Sequence, residues 1–356
     1  MCMCMCGVFL LSACQDNPDE SKSDVWPTLP DTVASPDRGS GQDLNPNDLG
    51  PPDCPSLGDA GAVGWRIAWS ANVPLHGMSC VQGHVYIAGE KATLLHHAPG
   101  SPQCGGFTKQ SVPTTADLLT VSFADLTYGV TAGRDWQIWE THDEGKTWTI
   151  APQCGSTIFA AFHSLHLHSA TKGYGAGELK DFNGAYKIYP GKTWICTDQN
   201  FANAILYDAF RLADGGWFVG DTNGRIYHTP DEGSSWFYGD TTPTKPLRGV
   251  AITSKYVGLA VGDEGVIQRS EDGLSWTQVK TLGTDDLREV FFFDDDNAWI
   301  VGASGTIMHS TDAGQTWTYQ SVATTDTVEA VCFTSATDGW AVTDKGDVLY
   351  TTTGGE

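Results

Sequence analysis

From Gly64 onward, short apolar runs alternate with polar stretches rich in glycine and aspartate. One class of run ends in a small pair, usually Ala-Gly or Val-Gly, whose second residues are Gly89, Gly133, Gly177, Gly220, Gly262, Gly302 and, substituted, Thr343. Successive pairs lie 44, 44, 43, 42, 40 and 41 residues apart. A unit of that length holds four short strands, and repetition at this period predicts a propeller. Ahead of each pair stands a segment of the form Leu-x-x-Val-x-Phe, as in Leu118–Phe123, Leu247–Ile252, Leu287–Phe292 and Val328–Phe333. Its alternation fits an innermost strand, A, while the unbroken run of Ala298–Gly302 fits a strand B buried on both faces. A glycine-centred turn then leads into strand C, as in Gly265–Ser270.

Strand C runs into an eight-residue figure that recurs with its spacing kept, at Thr141–Trp148, Thr229–Trp236 and Ser310–Trp317. Ser270–Trp276 is the same figure shortened by one residue, and Gly191–Trp194 keeps only its second half. The carboxylates of Asp143, Asp231, Asp272 and Asp312 are placed to accept backbone N–H groups inside a tight turn. Gly145, Gly233 and Gly314 supply a backbone conformation that favours glycine. Trp148, Trp236, Trp276 and Trp317 then open strand D and fold their rings under the turn. The last unit reaches Tyr350–Glu356, where such a turn begins, without a strand D, and Gly64–Ser70 reads as an orphan strand D led by Trp65. The expectation is an all-β, seven-bladed propeller of four-stranded blades over residues 64–356, its ring closed by residues 64–70 completing the last blade.

Composition adds two segments before that body. Residues 1–14 form an apolar run ending Leu11-Ser12-Ala13-Cys14, which resembles the lipobox of bacterial lipoproteins and marks Cys14 as a lipidation site after a signal segment. Residues 15–63 contain eight of the 17 prolines and ten acidic residues against Lys22 and Arg38 alone, with no apolar period. Such a composition predicts a disordered, self-repelling linker rather than a core. The formal net charge of −23 disfavours nucleic acid and anionic membrane surfaces as partners, leaving the lipid anchor as the one membrane contact. Six cysteines remain, Cys54, Cys80, Cys104, Cys154, Cys196 and Cys332. In an exported chain they predict disulfides; spacing favours Cys154 with Cys196, and the absence of a Cys-x-x-Cys pair argues against structural zinc.

With these figures in place the body resembles the Asp-box, or bacterial neuraminidase repeat, propellers. Val301–Trp317, Val-Gly-x-x-Gly-x-Ile-x-x-Ser-x-Asp-x-Gly-x-Thr-Trp, is similar to photosystem II stability/assembly-factor-like propellers. That resemblance implies a lipid-anchored propeller of the cell envelope, periplasmic or surface-exposed, that holds partner proteins and needs no cofactor. The arginine patch of that group is matched at Arg248 and Arg288, and Glu329 stands where a third basic residue would be. The Asp boxes also evoke sialidases, but the Phe/Tyr-Arg-Ile-Pro motif is absent and only eight arginines exist in the chain. The expectation is a binding scaffold and not an enzyme, with a glycan or small-ligand module as the alternative.

Aligning the A strands puts His76, Leu119, His163, Leu206, Arg248, Arg288 and Glu329 at one position, where they would ring the central channel. The competing reading is a water-filled channel with local ion pairs, such as Arg288 with Glu289 or Glu329. His163, His166 and His168 are the densest histidine group but have no acidic or cysteine neighbour at ligand spacing, so no metal site is expected. Asp294–Asn297 lacks the calcium-loop spacing and reads as a solvated turn. The B-to-C turns, Arg134-Asp-Trp136, Glu178–Gly184, Asp221 and Asp263-Glu264, are expected on the face opposite the Asp boxes, with Arg134 and Trp136 as partner-binding candidates.

Overall fold

A computed structural model describes residues 64–135, 137–152, 159–179, 183–188, 195–196, 205–212, 214–220, 224–239, 245–279 and 283–356. These belong to the compact unit Pro46–Glu356. They form an all-β propeller of four-stranded antiparallel blades, arranged as seven separate sheets. The innermost strands, in chain order, are Leu75–Val81, Leu118–Phe123, Phe159–Ser169, Leu206–Leu212, Leu247–Ile252, Leu287–Phe292 and Val328–Phe333. Sheets 1 to 6 each run outward through four consecutive strands. Sheet 7 holds Val328–Phe333, Gly339–Thr343 and Asp347–Thr351, and its outermost strand is Arg66–Ser70 from the other end of the body. That strand pairs antiparallel with Asp347–Thr351, Arg66 opposite Tyr350 and Ser70 opposite Asp347.

Side chains on the two faces of each sheet pack between sheets, and a separate buried cluster fills each junction. Tyr86, Leu118 and Trp148 belong to the cluster between sheets 1 and 2, Leu259, Ile300 and Trp317 to that between 5 and 6. Trp69, Val348 and Tyr350 of sheet 7 meet Val85, Ile87 and Leu95 of sheet 1 in one such cluster. The small pairs explain themselves here. A Cβ on Gly133, Gly262 or Gly302 would lie 1.9, 1.9 and 2.3 Å from the carbonyl oxygens of Asp117, Pro246 and Asp286, at the start of each strand A. Each inner strand bulges directly after the residue opposite the second member of its small pair, as between Leu118 and Thr120 opposite Gly133 and Ala132, which draws the two backbones together.

The Asp-box turns have the bonding expected of them. Asp143 Oδ1 accepts from Thr147 N at 2.8 Å and from Thr141 Oγ1 at 2.8 Å, and its other oxygen from Thr147 Oγ1 at 2.6 Å. Trp148 Nε1 donates to Gly145 O at 2.9 Å, and Gly145 has φ +81°. The same contacts recur around Asp231 and Asp312. Asp272 accepts from Leu274 N and Ser275 N in the shortened figure, before the buried Trp276. Trp236 differs from the other three tryptophans in being only half-buried. In blade three the B-to-C turn is shorter than Glu178–Gly184, because strand pairing continues to Glu178 opposite Asn183 and only 180–182 lie between the strands.

Candidate functional site

The innermost strands surround a cavity of about 770 Å³ running through the centre of the sheets. The bulge turns the residue that follows it into the cavity, so His76, Leu119, His163, Tyr207, Arg248, Arg288 and Glu329 line one level. Arg134, from the B-to-C turn of sheet 2, lines it as well. The expected ring is present with one correction. In sheet 4 the channel residue is Tyr207; Leu206 is fully buried, paired opposite Gly220 as the first residue of its strand. Asp208-Ala209-Phe210-Arg211 departs from the usual x-Val-x-Phe, which removed the cue that sets the register in the other strands.

The mouth is less cationic than its arginines imply, because each faces a carboxylate. Arg248 Nε and Nη2 donate to the two oxygens of Asp263, both at 2.9 Å, and its guanidinium lies 4.1 Å over the Tyr207 ring. Asp263 holds the arginine's pKa above its ordinary value, with burial opposing. Arg288 lies 3.9 Å from Glu329, and Arg134 lies 3.4 Å from Asp117. Glu329 is nevertheless raised, since burial outweighs the attraction of Arg288. Burial lowers His76, whose Nε2 is enclosed and meets no hydrogen-bond partner among the described residues. His163 packs against Tyr207 with ring centroids 5.4 Å apart. The result is a rim of mixed charge with aromatic and imidazole faces, on the side of the B-to-C turns that supply Arg134 and Asp263.

Deeper side chains stitch the blades to one another. Thr120 Oγ1, Asp208 Oδ2 and Glu289 Oε2, each the third residue of its strand, accept the N–H of Leu165, Val250 and Val331 on the following strand, at 3.0, 2.9 and 2.7 Å. Asp208 also accepts from Ser164 Oγ at 2.5 Å and Ala209 N at 2.8 Å. Although Asp208 and Glu289 keep part of their surface on the cavity, the dense protein around them disfavours charge. Asp208 is raised by that burial despite its hydrogen bonds. Glu289 is pushed up to about 8 by burial first, with Asp208 and Glu329 adding like charge and the Val331 N–H opposing. Tyr207 and Asp208 are the channel residues the sequence reading missed, and Glu289, expected to pair with Arg288, instead accepts the Val331 N–H; an alignment in which the third position was followed as well as the second would have found Asp208.

The remaining candidates separate. His166 Nδ1 accepts the N–H of Arg211 at 3.1 Å and its ring stacks on Phe210 at 4.3 Å, whereas His168 is exposed. Among the described residues no three His, Cys, Asp or Glu side chains converge as a metal set. Asp294 accepts from Asp296 N and Asn297 N at 2.9 and 2.7 Å, a local turn. Cys80 is bonded to Cys332, and Cys104 is also in a disulfide. Cys14, Cys54, Trp136, Cys154, Asp221, the Gly191–Trp194 figure and the side chain of Cys196 lie outside the described residues.

Comparison with known proteins agrees with the repeat reading. Residues 239–324 match the family described as photosynthesis system II assembly factor YCF48. The sequence matches no curated protein. Among solved structures, one described as YCF48 bound to D1 peptide has a TM-score of 0.66 and 17% identity, covering 82% of this chain and 98% of that one. YCF48 from Cyanidioschyzon merolae gives 0.65 at 12% identity, covering 81% and 98%. A catalytically inactive virginiamycin B lyase from Staphylococcus aureus, with quinupristin, gives 0.70 at 11% identity, covering 82% and 99%. At these identities the structural likeness establishes the fold alone. The chain is a β-propeller whose later repeats are similar in sequence to the YCF48 type of assembly factor.

Proposed function

We propose that this protein is an exported, lipid-anchored binding scaffold, a seven-bladed ring closed by residues 64–70 that holds a protein partner at the B-to-C mouth of its channel. The observation that carries this reading is the convergence of His76, Arg134, His163, Tyr207, Arg248, Arg288 and Glu329 on one opening. Arginines already paired with carboxylates, beside aromatic faces, suit a peptide segment that carries both charge and apolar side chains, because such a segment exchanges ion pairs instead of burying a bare charge. The D1 peptide bound to the YCF48 structure supports a protein partner for this family of repeats. Cys14 and the acidic 15–63 linker would tether the ring at the cell envelope.

The test is cross-linking of the lipidated protein in its native envelope, repeated with Arg288→Ala and with Tyr207→Ala. Arg288 has the longest ion pair of the three arginines, so its loss should weaken capture of the partner about tenfold, or roughly 1.4 kcal/mol, while leaving the melting temperature within about 2 °C. Undiminished capture by both variants would place the partner elsewhere. The volume of the channel favours a second reading, a small-ligand or glycan site. Saturable binding to a glycan panel, abolished by Tyr207→Ala without any partner protein, would establish that reading in its place.

A further inference from the structure

Sheets 1 to 6 are each built from consecutive strands, whereas sheet 7 joins Val328–Phe333, Gly339–Thr343 and Asp347–Thr351 to Arg66–Ser70 from the other end of the body, so the two ends meet inside sheet 7 by hydrogen bonds and not by continuous chain. We propose that Cys80 and Cys332 are a site of thiol–disulfide modification that latches sheet 7 to sheet 1 beside this seam, so that the oxidation state of the pair decides whether the channel mouth is held together.

The argument is one of position. Counted from the residue before the bulge, Leu75, Leu118, Phe162, Leu206 or Val328, the fifth side chain of one inner strand accepts at three other junctions the N–H of the sixth residue of the next. Ser79 Oγ accepts from Phe123 at 3.0 Å, Ser122 Oγ from Leu167 at 2.9 Å, and His166 Nδ1 from Arg211 at 3.1 Å. At the last junction the fifth residue is Cys332 and the sixth residue of the next strand is Cys80, with Cα atoms 5.8 Å apart across a sequence separation of 252. A covalent bond thus occupies the place where a hydrogen bond serves elsewhere. Both cysteines line the channel, which gives a small thiol or disulfide a route to them.

The seam inside sheet 7 is held without covalent help, by an Asp-box turn divided between the two ends of the body. Thr351 Oγ1 accepts from Gly355 N at 2.9 Å, as Thr141 Oγ1 does from Gly145 N, and Gly355 has φ +92°. Gly64 N then donates to Glu356 O at 3.1 Å, so Gly64 and Trp65 take the seventh and eighth places of the figure. Trp65 Nε1 donates to Gln320 Oε1 at 2.8 Å, and the Gln320 amide donates to Gly354 O at 2.7 Å. The mouth residues His76 and Glu329 lie on the two strands that the disulfide joins, so loss of that bond would free them to part.

The chemistry balances with an incoming disulfide of the glutathione or disulfide-oxidoreductase class. The thiols of Cys80 and Cys332 give up two electrons and two protons, one sulfur–sulfur bond forms between them, and the incoming disulfide becomes two thiols. Reversal needs a dithiol reductant of the same class.

The test uses the whole chain as exported. Alkylation followed by peptide mapping should recover a Cys80–Cys332 linked peptide and little free thiol at either position. In a glutathione redox series, loss of that peptide should coincide with new limited-proteolysis cleavage between residues 64 and 75. The C80S/C332S variant should melt on the order of 5–10 °C below the oxidised protein and show that cleavage without reductant. Comparison of reductant effects on variant and wild type separates the disulfide at Cys104. Free thiols at Cys80 and Cys332 in the exported protein would overturn the proposal, as would unchanged cleavage after the 80–332 bond is lost. The redox series on the wild type decides the matter even if the variant does not fold.

Discussion

At the scale of single residues, aspartate and glutamate do opposite work in this protein. The Asp-box carboxylates sit at the surface and accept several hydrogen bonds, so they favour the charged form, with Asp143 held at about 2 chiefly by Thr147. Their contribution is present above the unfolded carboxylate range and is lost only as pH falls toward that value. Glu289 has the reverse sign. Its folded pKa of about 8 exceeds the ordinary 4.5, so the folded state binds the extra proton, and the resulting stability is complete below about 4.5 and is lost as pH rises through 8. Glu289→Gln keeps an acceptor for the Val331 N–H but cannot ionise. Urea unfolding should therefore find the two proteins close at pH 5 and the variant increasingly the more stable of the two toward pH 9. A constant difference across that range would show that Glu289 titrates normally. The roles of the Asp-box residues were legible from spacing because every contact lies within eight positions. Glu289 was not, because its partner Val331 lies 42 positions away and its perturbation comes from the surrounding channel.

At the scale of the strand, the repeat is built on a bulge and the glycine opposite it. Gly262 lies opposite Leu247, and a Cβ there would sit 1.9 Å from Pro246 O and 2.8 Å from Leu247 Cα. Backbone atoms on both sides leave no flexible side chain to move aside, so the strands must separate. Gly262→Ala should cost about 3 kcal/mol or more, at the upper end of single substitutions, and lower the urea midpoint accordingly. Gly100, with nothing within 4 Å of a built Cβ, offers a contrast, although its φ of +80° imposes a smaller backbone cost. A shift at Gly262 no larger than that at Gly100→Ala would contradict the close-approach account. The spacing of these glycines gave the period of the fold directly from sequence, since one bulge per repeat demands one small residue per repeat. Thr343 shows the limit of the rule. It occupies the same register opposite Val328, fully buried, with its hydroxyl accepting Asp347 N at 3.0 Å, so the seventh repeat solves the same junction differently. The slip from Tyr207 to Leu206 has a related cause, for in sheet 4 the strand carries Ala209 and Arg211 where apolar Val and Phe mark the register in the others.

At the scale of the whole molecule, the outermost strands are unequal, and this separates a strand that only decorates its sheet from one that packs into the body. Thr149–Ile150 of sheet 2 is a two-residue strand exposed along its length. Arg66–Ser70 has five residues, and within it Ala68 and Trp69 are buried. Trp69 stacks on Phe107 of sheet 1 with ring centroids 5.5 Å apart, so the N-terminal strand of sheet 7 is packed against sheet 1. Neighbouring Tyr350 of sheet 7 reaches the same way, accepting Gln103 Nε2 at 2.6 Å. Trp69→Ala removes an aromatic contact and leaves a cavity between the first and last sheets, a loss of about 3–5 kcal/mol for a buried tryptophan. Ile150→Ala removes a side chain that is half exposed and should change stability by less than about 1 kcal/mol. Deleting residues 64–70 goes further, removing Trp65 and Trp69 and uncovering the Asp347–Thr351 edge, and should abolish a single cooperative unfolding transition. Retention of that transition in the deletion, or equal effects of Trp69→Ala and Ile150→Ala, would mean that sheets 1 to 6 sustain the fold without the N-terminal strand. The pairing of Arg66 with Tyr350, almost the whole body apart in sequence, argues for the opposite outcome, because the Asp347–Thr351 edge stays uncovered until that most distant contact has formed.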